Sequence, residues 1–208
     1  HRILLSETDA DPLLKGIAKQ AWGQQRNDIE FRSPFGAQAL EGSGPLWISS
    51  LIATTQTEAA AALWQVLLLQ LRGRTNQLSL HCLRRPAPRG TMRGSMTLNA
   101  EAAQGATTLS IVASGENAKT LLAGDLLGLG SGVTQQVVMV MADATSDGSG
   151  IISVTVEPPL RNTHAAASVV TWDAPKALFR RKSSGAQWEY QGRIVSGFSL
   201  DLIEDWRA

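Results

Sequence analysis

The sequence predicts a mainly β protein with one central helix, split by an inserted small all-β barrel or sandwich. Three observations lead there. Only one stretch carries a strong helical signal, short alternating apolar runs bounded by turn residues fill most of the remainder, and the net charge changes sign in mid-chain. The implied division is 1–92 and 173–208 as two parts of one domain, with 93–172 inserted between them.

The helix is expected over 56–72. Thr55 and Glu58 have the spacing of a capping box, and Arg72-Gly73 suits a left-handed C-terminal turn. Ala60, Leu63, Trp64, Leu67, Leu68 and Leu71 recur at i, i+3, i+4, i+7 and so share a face. Val66 and Leu69 widen that stripe, which predicts a helix covered on more than one side.

Before the helix, residues 1–28 read least clearly. Asp11-Pro12 opens either a short helix through Leu13, Leu14, Ile17 and Ala18 or an extended arm. Ile29 to Arg32 alternates as a strand, with a turn at Ser33-Pro34-Phe35-Gly36. Leu46 to Ala53 is a second strand, apolar enough to be covered on both faces. A third strand follows the helix at 75–82, and Arg84-Arg85-Pro86-Ala87-Pro88-Arg89-Gly90 reads as a stiff basic connector.

Between Ser95 and Thr171 two basic residues stand against six acidic ones, a net −4, while the remainder carries 17 against 12, a net +5. That acidic segment reads as β throughout: Thr107–Val112, Leu121–Leu129 as strand, turn and strand, Val133–Met141, Ile151–Val156 and Ala167–Trp172. Asp147-Gly148-Ser149-Gly150 has hairpin-turn chemistry, and about six short strands in this length suit a small barrel. Beyond Asp173, Leu178–Arg181 and Trp188–Gln191 are expected to pair across Ser183-Ser184-Gly185. Ile194–Ile203 is expected to complete the sheet begun before residue 90.

Apolar content of 43% indicates a fully folded chain, and the near-balance of 19 basic and 18 acidic residues argues against a general polyanion binder. No run of about 18 apolar residues exists to cross a membrane, and no signal peptide is read. A single cysteine, Cys82, excludes an internal disulfide and fits a reducing compartment.

No catalytic, cofactor-binding or metal residues are assigned. Asp143 to Gly148 imitates half a calcium loop, but Val154 stands where a bidentate carboxylate is required. Gly128, Gly130 and Gly132 have no following helix, and Ala118 spoils a phosphate-loop reading at Lys119-Thr120. His81 and Cys82 are strand neighbours that face opposite ways, so Cys82 reads as packed rather than nucleophilic. His164 has no companions for a ligand set, and Glu204 and Asp205 are expected to be solvated. Arg84, Arg85, Arg89 and Arg93 lack interleaved aromatics and read as a solvated linker or a contact with an acidic neighbour.

Ser33-Pro34-Phe35, Trp47 on its strand, Thr57 to Trp64 and Leu69 to Arg74 together resemble the amino-terminal half of distal tail proteins of long-tailed bacteriophages. Arg84 to Gly90 is similar to the exit from that half. Leu122–Leu129, Asp147–Gly150 and Val156–Arg161 resemble the β insert of such minor tail proteins. The resemblance implies a belt-type domain closing into a homo-oligomeric ring of six copies at the tail tip. Its implied partners are the tail tube, tape measure, baseplate hub and fibre or receptor-binding proteins, with DNA only passing through the channel. It implies a virion location after assembly in the host cytoplasm. The residues themselves lead to the expectation of no cofactor, no enzyme activity and no membrane insertion, and the hypothesis on organisation is that the belt halves make the ring and the insert is dispensable for folding.

Two other classes were weighed. A carbohydrate- or receptor-binding β module meets the difficulty that residues 95–171 contain no aromatic side chain. A tail-borne cell-wall hydrolase lacks a convincing carboxylate pair, zinc set or nucleophile.

Overall fold

The structure, a computed structural model, describes residues 2–4 and 16–206. The reading of residues 11–14 lies outside the described residues. The first part of the chain runs β1 (Arg2–Leu4), β2 (Ile17–Ser33), β3 (Gly36–Ala53), β4 (Gln56–Thr57), α1 (Glu58–Gln70) and β5 (Gln77–His81). The middle supplies β6 (Met96–Leu98), β7 (Thr108–Ala113), β8 (Thr120–Leu121), β9 (Leu126–Leu129), β10 (Gln136–Val140), β11 (Ala144–Thr145), β12 (Ile151–Glu157) and β13 (Val169–Thr171). The last part adds β14 (Lys176–Arg181), β15 (Glu189–Gln191), β16 (Ile194–Ser196) and β17 (Ser199–Glu204).

The mainly β class with a single helix is what the chain adopts. A six-stranded sheet takes the order β1-β5-β14-β17-β3-β2, joining strands from both ends of the sequence. Between them β10-β12-β7-β6-β13-β9 close into a barrel. Its strands alternate: in β12, Ile152, Val154 and Val156 are buried while Ser153 and Thr155 face outward. Closure removes the open edges that such short strands would otherwise expose.

Helix α1 packs beneath the sheet. Trp64 is 1% exposed and stacks on Phe198, and Ala61, Leu67, Leu68 and Leu71 are buried beside it. The capping box does not form. Gln56 and Thr57 are committed as β4 to a separate three-stranded sheet, β15-β16-β4, where Thr57 pairs with Ile194, so Thr57 becomes the N-cap with no side-chain cap bond. The C-terminal turn is left-handed as expected, and Arg72 shares it with Gly73 (φ 46° and 62°). Asn76 N–H then donates to the Leu71 carbonyl at 3.1 Å.

The helix is covered on one side only. Leu63, Val66 and Leu69 are 40%, 49% and 61% exposed, contrary to the two-sided reading. Strand β3 likewise buries one face, through Trp47, Ser49 and Leu51, and leaves Ile52 42% exposed. The pairing expected across Ser183 to Gly185 is also replaced. β14 pairs with β5 and β17, and β15 pairs with β16, because the long-range sheet takes both edges of β14. Gly197, at φ 80°, breaks the expected Ile194–Ile203 strand into β16 and β17. Ile17 and Ala18 belong to β2 rather than to a helix. The Val133–Met141 strand begins late, after a short 3-10 turn at Gly132–Thr134.

β2 and β3 are much longer than the sheet they join. β17 pairs with β3 only from Ile48 to Ile52, yet the β2–β3 ladder continues to Ser33↔Gly36. Residues beyond Gln25 and Leu46 therefore form a two-stranded arm.

Candidate functional site

The junction between sheet and barrel is the most concentrated arrangement of polar and aromatic groups. Arg161, in the connection between β12 and β13, donates from Nη2 to Glu204 Oε2 at 2.7 Å and to the Pro45 carbonyl at 2.9 Å. The same Glu204 oxygen accepts the Trp47 backbone N–H at 2.9 Å, and the Trp47 indole donates to the Val137 carbonyl at 2.7 Å. The Arg161 guanidinium lies 4.9 Å from the Trp206 ring centre. Glu204 and Asp205 are buried at 2% and 7% exposure, so the expectation of solvated carboxylates fails. Strand β17 carries Glu204 inward, and Asp205 meets Gln77 at 2.9 Å and Arg180 at 3.5 Å.

A cleft of about 520 Å³ opens beside this junction, lined by Pro45, Pro158, Pro159, Arg161 and Trp206. Arg161 and Glu204 tie sheet to barrel through one nitrogen and one oxygen, while Arg161 Nη1 and Glu204 Oε1 are buried with no hydrogen-bond partner among the described residues.

The basic connector has an intramolecular role. Arg85 Nη1 donates to the Gly124 carbonyl at 3.0 Å and Arg89 Nη2 to the Ala123 carbonyl at 2.6 Å. Asp125, 2% exposed, accepts from the backbone of Arg89, Gly90 and Leu122 at 2.7, 3.0 and 2.8 Å. Arg93 sits 5.1 Å from the Trp172 ring centre. These three arginines make the connector a clasp on the barrel's 122–125 turn and its exit, while Arg85 and Arg89 stay exposed to solvent. Arg84 is exposed.

The remaining candidates resolve individually. Asp147 Oδ1 caps its own turn, accepting from Ser149 and Ile151 N–H at 2.8 and 2.9 Å, which is hairpin chemistry rather than a calcium loop. Gly128 lies in β9, and Gly130 and Gly132 take φ of 71° and 65° in the following turn with no α-helix behind them. Lys119 donates its N–H to Ser146, and Ala118 holds φ 52°. Cys82 is buried in the sheet core, and His81 is buried as well. His164 is 8% exposed, and burial lowers its pKa below the usual histidine value. Among the described residues no three His, Cys, Asp or Glu side chains converge as a metal set, and no helix is long and apolar enough to cross a membrane.

What the described residues do present is unpartnered apolar surface. Along the arm, Ile29 and Phe31 share one side of β2 by alternation, and Leu40 lies opposite Ile29. These three are 52%, 58% and 58% exposed, and Phe35 at the tip is 99% exposed. Asp28, Glu30 and Arg32 occupy the other side. Arg26 fastens the base, meeting Glu41 at 3.3 Å and barrel residue Glu157 at 2.7 Å. The second apolar surface is the outward face of α1, with Leu63, Val66 and Leu69 and no charged residue after Glu58.

No protein-family model matches the chain, and no curated protein matches it. The alternation of Ile29 and Phe31 with charged residues was the visible signal for an amphipathic arm. Nothing in the sequence signals that Arg161 would find Glu204 43 residues away.

Proposed function

We propose that this chain is a non-catalytic structural protein of the tail tip of a long-tailed bacteriophage. Copies of it assemble head to tail into a ring of six. That ring joins the tail tube and tape measure protein to the baseplate hub and host-recognition proteins, and DNA passes through its channel.

The observation that carries this reading is the projecting arm. A lone two-stranded hairpin is marginal in water, and this one exposes three large apolar side chains on a single face. Such a ribbon calls for a neighbouring molecule. A neighbour supplied by rotation, each copy offering one surface and receiving another, is the heterologous contact that closes rings. The clasped barrel and the Arg161–Glu204 junction support the same view, since they spend charged residues on mechanical coherence.

Negative-stain imaging of the purified protein tests it, with and without tail tube protein. Closed rings with an axial hole that cap tube ends are the expected result. Solitary particles that never dock on tubes would overturn the reading.

A further inference from the structure

We infer that the β2–β3 arm turns as a unit about its base, where Gln25–Asn27 face Gly42–Pro45, and that the Arg26–Glu157 ion pair latches it against the barrel. The inference goes beyond the ring reading and stands without it.

The inner half of β3 is fixed. The Pro45 carbonyl accepts from Arg161, the Trp47 amide donates to Glu204, and the Trp47 indole reaches Val137 of the barrel. From Ile48 to Ile52 the strand is paired with β17 as well. Beyond Leu46 the ladder slips twice in quick succession. Gln25 pairs with Leu46, Asn27 with Ser43 and Asp28 with Glu41, so each step passes one more residue on β3 than on β2. Each extra residue is a bulge, which interrupts the ladder and bends the strand.

The bulged stretch reads Gly42-Ser43-Gly44-Pro45. Its two glycines widen the backbone's choices, and its proline has no N–H to give the ladder. A side chain at Gly42 would stand 3.3 Å from the Asn27 carbonyl, whereas one at Gly44 would meet nothing within 4 Å. Past Asp28 the register is regular to Ser33↔Gly36, and no other strand among the described residues pairs with 27–43. A regular ribbon on a doubly bulged base bends at the base.

One ion pair crosses that base. Arg26 stands between the two slips, with Nη2 2.7 Å from Glu157 and Nη1 3.3 Å from Glu41. Glu157 ends β12, so the pair ties the root of the arm to a body outside its ladder. The Arg26 side chain is 51% exposed. A pair so open to solvent biases an equilibrium by about fivefold or less, and it weakens in salt. The latch therefore sets the arm's resting direction. It yields to a contact that buries Ile29, Phe31 and Leu40, since burying large apolar side chains outweighs a surface ion pair.

Pulsed dipolar distance measurement between two spin labels tests this in full-length protein diluted into unlabelled protein. The labels sit at Ala37→Cys on the arm and Ser153→Cys on the barrel, both exposed, and buried Cys82 stays. A control pair joins Lys19→Cys to Ser153→Cys, because Lys19 pairs with the fixed half of β3. One dominant arm distance is expected. Glu157→Gln should cut its weight by up to about fivefold in favour of other distances. Salt at about 1 M, where screening acts within about 3 Å, should do the same to the parent and nothing more to Glu157→Gln. The control distance should hold throughout. Adding Gly44→Val, a stiff residue in open space, should return Glu157→Gln to one distance. An arm distribution that Glu157→Gln leaves unchanged would overturn the latch, as would a salt response undiminished by that substitution. A control pair that spreads as far as the arm pair would place the motion between sheet and barrel and overturn the hinge. So would a folded Gly44→Val, Glu157→Gln protein that stays as broad as Glu157→Gln alone.

Discussion

Arg161 and Glu204 face each other across the sheet–barrel junction with side chains 13% and 1% exposed. Removing one partner from a buried pair leaves an uncompensated charge, at a cost of about 3–5 kcal/mol. Arg161→Ala is therefore expected to lower the unfolding free energy from urea titration by that amount, shifting the midpoint down, and Arg161→Met with Glu204→Leu to recover part of the loss. A midpoint unchanged in Arg161→Ala would show that the pair is idle. His164 gives a pH prediction. Its pKa is lowered by burial, and its Nε2 has no hydrogen-bond partner among the described residues. The unfolded chain then binds the proton more readily, so His164's contribution favours folding above about pH 6.5 and is lost as pH falls below that value. The urea midpoint should fall between pH 7 and 5, and His164→Gln should flatten that fall. An identical slope in the variant would assign the effect elsewhere.

Among the elements, α1 was the most legible, because an apolar repeat of this strength survives any tertiary context. Of the face read from the sequence, Trp64, Leu67, Leu68 and Leu71 are buried, whereas Leu63 is 40% exposed and Ala61 is buried instead. Its start was misread because a capping box is local, whereas the pairing of Thr57 with Ile194 crosses most of the chain. Thr55→Ala is accordingly expected to change stability by less than about 0.5 kcal/mol, the usual range for surface substitutions. Trp64→Ala should cost about 3–5 kcal/mol, as loss of a fully buried aromatic does. Thermal unfolding of the two variants checks both, and a large loss in Thr55→Ala would restore the capping role. The arm was half legible: its turn at Pro34-Phe35 and its outer strand were visible. The inner half of β2, Ile17 to Asp28, carries too few apolar residues to announce a strand. Glycine and charge patterning could not locate Glu204 or the clasp of Arg85 and Arg89, since their partners are chosen by topology.

At the scale of the molecule, the six barrel strands β6, β7, β9, β10, β12 and β13 all lie within the acidic stretch between residues 95 and 171, and β8 and β11 pair there as a separate two-stranded sheet. What charge could not reveal is how firmly the barrel is built in. Leu126 and Val137 belong to the same buried cluster as Trp47 and Phe179. The idea of a dispensable insert therefore weakens: joining Gly94 to Trp172 by a flexible linker should uncover Trp47 and give a clearly less stable product. Calorimetry would reveal that, and an undiminished transition would return the insert to the status of an appendage. The central claim is the proposal that the arm grips further copies of a 22.2 kDa chain. Light-scattering mass across a hundredfold concentration range tests it most directly. The account predicts a closed species of fixed mass, six chains under the proposed ring, since heterologous contacts that close by rotation form rings. A mass of 22.2 kDa at every concentration would contradict it.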